Sequence, residues 1–154
     1  MKYLLLVCLF VGSSVFGQSS VYQFGFSCPK TGSVFPGINA TNPTIGRPMS
    51  ITTTNGNPMD YGRLAIGVSN TTWLGYQLPL DLWYYGGFCF LYVSFEFSSY
   101  IIFDATGTST VTFNVPNDPG LIGRTLYAQS FIHDLGLNYL NIAPTPGLGL
   151  VIGR

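Results

Sequence analysis

Glycine and proline recur at short intervals along this chain, and they constrain its fold more than any other feature. The 154 residues include 19 glycines and 10 prolines. Glycine weakens a helix interior, and proline removes a helical hydrogen bond and clashes with the preceding turn. No segment of helical length keeps a helical apolar period free of both residues. Short strands joined by turns suit this punctuation, so the sequence predicts an all-β protein with little helix.

Several segments alternate apolar and polar residues with a period of two, which is typical of half-buried strands. In three of them the apolar residues share one face: Leu64, Ile66 and Val68; Val111, Phe113 and Val115; Leu148, Leu150 and Ile152. The longest run spans residues 88–97, and its second face is also rich in aromatic residues. About eight strands at this spacing predict a two-sheet antiparallel β-sandwich, immunoglobulin-like or jelly-roll-like.

The first 17 residues have the features of a secretory signal peptide. Lys2 precedes a short apolar run at residues 4–11, and small or modest residues lead to Gly17. This is the order of a signal peptide, and the run is shorter than the roughly 20 residues that span a bilayer. We therefore predict a signal peptide at 1–17 and a single β-sandwich domain at 18–154. The protein would be secreted or held at the cell surface, without a membrane span after cleavage. The alternative for the first segment is a buried N-terminal strand.

Two cysteines remain after cleavage, Cys28 and Cys89. An even number in an exported chain predicts a disulfide. Two free thiols are the alternative. A metal site built on them lacks nearby histidines, so we do not expect one.

Charge is scarce, and this restricts the partners. Only 8% of residues are charged, and five of the six basic residues remain against six acidic ones once Lys2 is removed. Nucleic acid requires clustered Lys and Arg, so we expect no nucleic-acid binding. A surface of Thr, Ser, Asn, Gly and Tyr favours association with sugars or with other protein copies.

Short motifs spread in order over nearly the whole mature chain carry a resemblance to a known kind of domain. They are residues 24–28 with Gly32 and Pro36, 43–46, 64–69, 73–75 with 78–82, 89–93, 116–123 with 127–129, and 147–153. The most specific of them joins residues 116–123 to Tyr127–Gln129. With these motifs the mature chain resembles an uncharacterised secreted β-sandwich domain that recurs in planctomycete-type and related bacterial exported proteins. The resemblance implies a sandwich fold and an exported location, fits the pairing of Cys28 with Cys89, and implies no activity.

The sequence offers little for catalysis. The single histidine, His133, precedes Asp134 and follows Ser130 by three positions. Such spacings in a strand point to opposite faces, so neither pair forms an oriented dyad. No glycosidase, phosphate-loop or zinc motif is present. We expect a protein that is not an enzyme and has no cofactor. Structural Ca²⁺ is an open alternative, with loop oxygens from Asp104, Asn117, Asp118 and Asp134.

Two functions fit these features. The first is a non-enzymatic extracellular structural subunit that associates with its own copies or with cell-surface components. Residues 18–24 are a candidate strand for donation to a neighbour, and pairing within their own sheet is the alternative.

The second function is a carbohydrate-binding module. Exposed aromatic residues in a segment broken by glycine and proline would stack on polysaccharide, and the candidates are Tyr76, Trp83, Tyr84 and Tyr85. Asn39 and Asn70 match the glycan-acceptor pattern, which matters only in a eukaryotic host.

Overall fold

The computed structural model describes residues 17–82 and 89–154, so the predicted signal peptide lies almost entirely outside the described residues. The described residues contain thirteen strands, a single 3-10 turn at Pro119–Leu121, and no α-helix. The strands are β1 (Ser20–Phe24), β2 (Gly37–Ala40), β3 (Pro48–Thr54), β4 (Tyr61–Gly67), β5 (Thr72–Trp73), β6 (Tyr76–Gln77), β7 (Leu80–Asp81), β8 (Phe90–Leu91), β9 (Phe97–Ile102), β10 (Ser109–Asn114), β11 (Thr125–His133), β12 (Ile142–Pro144) and β13 (Gly147–Val151). The all-β prediction is confirmed.

The strands pair in several antiparallel sheets. The large sheet has the order β1-β13-β11-β4-β9, with β12 pairing to β11, and the small sheet has the order β10-β3-β2. Two short strand pairs are β5–β6 and β7–β8, and an isolated parallel bridge joins Thr44 to Gly153. The strands of the large sheet come from both ends of the chain, so its core depends on contacts that are distant in sequence.

The two main sheets share one apolar core. Because side chains alternate along a strand, every second one faces this core. On the small sheet, the side chains of the other face are polar. There, Thr52 bonds Thr110 at 3.0 Å and Ser50 bonds Thr112 at 2.9 Å on the exposed face. The principal core residues are Ile38, Met49 and Ile51 from the small sheet, and Leu64, Ala128, Ile132, Leu148 and Leu150 from the large sheet.

A long connection covers part of the other face of the large sheet, which we call the outer face. This connecting segment comprises residues 68–82 and 89–96, and it includes β5 to β8. Its buried Leu78, Leu91 and Val93 form a second apolar cluster with Ala65 and Phe131 of the large sheet. The outer face is therefore buried where the connecting segment lies and open beyond it.

A disulfide and a buried amide hold the connecting segment in place. Cys28 and Cys89 are bonded, which confirms the predicted disulfide. The side chain of Gln129, buried on β11, accepts the N–H of Tyr92 at 2.8 Å. It also donates to the carbonyl oxygens of Phe90 and Thr145, each at 2.8 Å. Every polar atom of this amide is used to join the sheet to its neighbours.

The sequence patterns succeed in some segments and fail in two places. Of the face predicted for Leu64, Ile66 and Val68, Val68 lies beyond the end of β4 and is 64% exposed. Residues 111–115 and 148–152 place their apolar side chains in the core as expected. The strand predicted over residues 88–97 is wrong: β8 is two residues long, and β9 begins at Phe97. Both Tyr92 and Ser94, assigned to a more exposed second face, are buried beside Val93. The run is largely apolar on both faces because it is buried on both sides, whereas a half-buried strand would be apolar on one.

The N-terminal segment pairs with a strand of its own chain. Strand β1 lies antiparallel to β13 of the same chain, from Ser20 opposite Val151 to Phe24 opposite Gly147. The sequence left two arrangements open for this segment, and the structure has pairing within its own sheet rather than donation to a neighbour.

An aromatic groove on the outer face

Two rows of side chains cross the open part of the outer face. The first row places Tyr100 of β9 beside Arg63 of β4, and Arg63 beside Phe131 of β11. The second row places Ile102 beside Tyr61, and His133 beside Ile142. Direct opposition in antiparallel strands puts such residues on the same face. Four strands therefore contribute to one continuous surface.

This surface borders an open groove of about 450 Å³. The sheet contributes Tyr61, Arg63, Tyr100, Phe131 and His133, and the connecting segment contributes Trp73, Leu82, Leu91 and Phe95. The rings of Trp73 and Phe95 are 6.0 Å apart, and those of Phe95 and Phe131 are 5.8 Å apart. We call this feature the aromatic groove.

Two ring contacts organise the sheet side of the groove. The imidazole of His133 stacks on Tyr61, with the centroids 4.5 Å apart and the planes 12° from parallel. The guanidinium carbon of Arg63 lies 4.5 Å from the ring centroid of Tyr100, within cation–π range. Arg63 also donates to the Tyr100 hydroxyl at 2.8 Å. Aromatic surface and hydrogen-bonding groups are thus placed side by side.

Asp60 fixes the histidine ring. Its Oδ2 lies 3.1 Å from Nδ1 of His133, and its Oδ1 accepts the N–H of Tyr61 at 2.8 Å. A carboxylate only accepts hydrogen bonds, so Nδ1 donates; in the tautomer with the proton on Nδ1, Nε2 is an acceptor. Burial alone would raise the pKa of Asp60. The hydrogen bonds from Tyr61, His133 and Asn57 outweigh that effect and hold the pKa below 3.8.

The aromatic residues proposed from sequence are only partly placed. Tyr76 lies opposite Trp73 in the β5–β6 hairpin, where it is 64% exposed and does not line the groove. Its partner Trp73 does line it. Trp83, Tyr84 and Tyr85 lie outside the described residues.

The acidic loop residues accept hydrogen bonds, in their own turns for Asp104 and Asp118 and from a distant segment for Asp134. Asp104 accepts the N–H and hydroxyl of Thr106, and Asp118 accepts the N–H of Gly120. Asp134 accepts the N–H of Thr31 at 2.7 Å. Within residues 17–82 and 89–154, no three His, Cys, Asp or Glu side chains come together as a metal site would require. A calcium site stays a prediction.

The histidine has a partner that the sequence did not indicate. His133 pairs with Asp60, while the adjacent Asp134 faces Thr31 and Ser130 bonds Thr53 in the core at 2.7 Å. In the part of the chain that the structure describes, no hydroxyl or thiol bonds the imidazole.

Sequence reasoning also missed Tyr61, Arg63 and Tyr100. Their period-two spacing marks Tyr61 and Arg63 as outer-face residues of one strand, and Tyr100 as an outer-face residue of another. What brings them together is the pairing of β4 with β9, which no local pattern encodes.

Comparison with protein-family models, curated proteins and solved structures finds no match to this chain. Among the described residues, no helix has the length and apolar character needed to cross a bilayer.

Proposed function

We propose that this chain is a non-enzymatic, extracellular β-sandwich domain that binds neutral polysaccharide in the aromatic groove. The sandwich would be formed by the large and small sheets around their shared core. The disulfide between Cys28 and Cys89 supports an oxidising, extracellular location. The signal peptide at 1–17 and membership of the planctomycete-type exported family belong to this proposal as well.

One observation carries the proposal: open ring surfaces and hydrogen-bonding groups meet in the same groove. Tyr61 and Tyr100 are both exposed, and each has a polar group against its ring. A pyranose ring has an apolar face that stacks on an aromatic side chain and hydroxyls at its rim. The guanidinium of Arg63 and Nε2 of His133 are a donor and an acceptor suited to those hydroxyls.

The charges of the groove favour a neutral ligand. Arg63, which is positive, lies on β4, and Asp60, which is negative, immediately precedes that strand. These opposite charges leave little net field for a polyanion, in contrast to a nucleic-acid surface. The proposed ligand is therefore an uncharged polysaccharide of pyranose units.

Affinity electrophoresis through gels containing soluble neutral polysaccharides tests the proposal, with a glycan array to identify the sugar. The native protein should be retarded by at least one of them. Tyr61→Ala and Tyr100→Ala should each weaken binding by about two- to tenfold, because an aromatic contact contributes roughly 0.5–1.5 kcal/mol. Both rings are exposed, so the thermal midpoint should change little.

Tyr139→Ala is the matched control. Tyr139 is 97% exposed and lies outside the groove, so its loss should leave retention unchanged. Equal losses in Tyr61→Ala and Tyr139→Ala would assign binding to another surface. A native protein that no neutral polysaccharide retards would refute the proposed function.

A structural role through self-association is the second candidate. The observation that favours it is the edge of the large sheet at β9, whose sequence Phe-Ser-Ser-Tyr-Ile-Ile has no charge and no proline. Natural edge strands are commonly protected by Lys, by Pro or by a bulge. An unprotected edge in a chain with so few charges favours pairing between copies.

A further inference from the structure

We propose that two copies of this chain pair antiparallel along β9, with Tyr100 opposite Tyr100 of the second copy. This inference rests on the second candidate function and specifies its partner, edge and register. It does not rest on sugar binding, although Tyr100 also lines the aromatic groove.

The backbone of β9 determines which groups point out of the sheet. The N–H of Phe103 bonds the carbonyl oxygen of Asp60, its opposite residue, at 2.9 Å. Backbone groups alternate along an antiparallel strand between the partner and the open side. Because Tyr61 lies opposite Ile102 and Arg63 opposite Tyr100, the groups of Ser98, Tyr100 and Ile102 point away from β4. In the part of the chain that the structure describes, their three N–H groups have no hydrogen-bond acceptor.

These three positions are self-complementary about Tyr100. A twofold axis at Tyr100 places Ser98 opposite Ile102 of the other copy at both ends. Each opposed pair of this type exchanges two hydrogen bonds, so the register uses the three free N–H groups of each copy and forms about six bonds. Two of them would go to the Tyr100 carbonyl oxygens, which also accept the Ser99 hydroxyl of their own chain at 3.2 Å. A shift in either direction leaves some of these groups without a strand partner.

Apolar exposure distinguishes β9 from the other edges. Tyr100 is 67% exposed and Ile102 is 73% exposed, so pairing removes apolar surface from water. The outward side chains of β10, by contrast, are Thr110, Thr112 and Asn114. On the opposite side, Gln23 of β1 donates to the carbonyl oxygen of Ile38 at 2.6 Å and so ties β1 to β2.

Arg63 does not oppose this arrangement. The two Arg63 side chains would be separated by three strand spacings, about 14 Å, which exceeds the Debye length of about 8 Å at physiological salt. Glu96 and Asp104 lie just beyond the ends of β9, and the register brings Glu96 toward Asp104 of the second copy at each end. These like charges are the repulsive contacts of the arrangement, and each carboxylate accepts a hydrogen bond within its own chain, from Ser94 and from Thr106.

Light scattering after size-exclusion chromatography, over a range of protein concentrations, tests the association. The native chain should show a concentration-dependent dimer. In Ser98→Lys/Ile102→Lys, like charges lie opposite one another at both ends, so association should weaken about tenfold. Ser98→Glu/Ile102→Lys places opposite charges across the same two contacts and should restore the dimer. Ser20→Lys on β1 is the matched edge control and should leave it unchanged.

The outcomes separate this inference from the function on which it rests. A native chain that stays monomeric at all concentrations overturns both. Oligomers that form equally in the native chain and in both double variants leave self-association in place and overturn the β9 register. Loss of the dimer in Ser20→Lys alone would assign the contact to β1.

Discussion

Oδ2 of Asp60 lies 3.1 Å from Nδ1 of His133, and the two residues are 73 positions apart in the chain. Asp60 immediately precedes β4, and His133 ends β11, its neighbour in the large sheet. The contact orients the imidazole against Tyr61 and so shapes the sheet side of the aromatic groove. A carboxylate at the start of one strand therefore determines the chemistry presented by the end of another.

Acid should weaken the fold in part through Asp60. Its pKa is lowered below 3.8 in the folded chain, so its contribution to stability is present above that value and is lost as the pH falls through the folded pKa. As the pH falls from 5 to about 3, the free energy of unfolding should therefore drop less in Asp60→Asn than in the native chain. Urea denaturation at each pH measures it.

Asp104→Asn extends this comparison to a turn. The hydroxyl of Thr106 and the backbone N–H groups of Thr108 and Thr106 lower the pKa of Asp104. Its contribution has the same sign, so the double variant should be less acid-sensitive than either single variant. Equal acid sensitivity in the native chain and the double variant would contradict this assignment.

Gln129→Leu should destabilise the protein by about 3 kcal/mol. The apolar side chain leaves the buried N–H of Tyr92 and two carbonyl oxygens without their partner, and each unsatisfied group costs about 1–3 kcal/mol. Because Gln129 joins the sheet to the connecting segment, the groove should also lose ligand affinity. Chemical denaturation and affinity electrophoresis measure the two effects. Gln77→Leu, at an exposed position in β6, is the control and should change neither.

Removing the disulfide should cost about 4 kcal/mol. The bond closes a loop with a sequence separation of 61, and the chain-entropy model gives this magnitude for such a loop. Cys28→Ala/Cys89→Ala should lower the urea midpoint accordingly. Intact-mass measurement on the native protein should show a gain of two hydrogens on reduction; an unchanged mass would mean that the native protein lacks the bond.

The fold was predictable from sequence where burial is one-sided. Val111 and Phe113 pack against the core while Thr110 and Thr112 are exposed, so the pattern and the structure agree. Around Val93 the pattern misleads, because the large sheet and the disulfide-linked connection bury both sides of the chain. Apolar content alone cannot distinguish a long half-buried strand from an irregular segment buried all round.

The site was less predictable because it depends on strand order. The sequence offers both Tyr76 and Trp73 as candidate aromatic residues, but only the contact of Trp73 with Phe95 shows which of them lines the groove. Likewise, Tyr61 and His133 stack because β4 and β11 are neighbours. These contacts join distant positions in the chain.

Trp73 and Tyr76 lie opposite each other in one hairpin. Comparing them tests whether sugar binds in the aromatic groove or on the exposed part of the connecting segment. Trp73 is half-buried against Phe95 and lines the groove, whereas Tyr76 is exposed and lies outside it. Trp73→Ala should lower the free energy of unfolding by about 2 kcal/mol, roughly half the cost of truncating a fully buried aromatic residue. It should also weaken polysaccharide retention.

Tyr76→Ala, directly opposite in the same hairpin, should change stability by no more than about 0.5 kcal/mol and leave retention intact. The same assays on Tyr84→Ala/Tyr85→Ala extend the test to the segment outside the described residues, where the carbohydrate-binding prediction from sequence still stands. If retention depends on Tyr76, Tyr84 and Tyr85 but not on Trp73 or Tyr61, the sugar binds on the connecting segment and the aromatic groove is not the site.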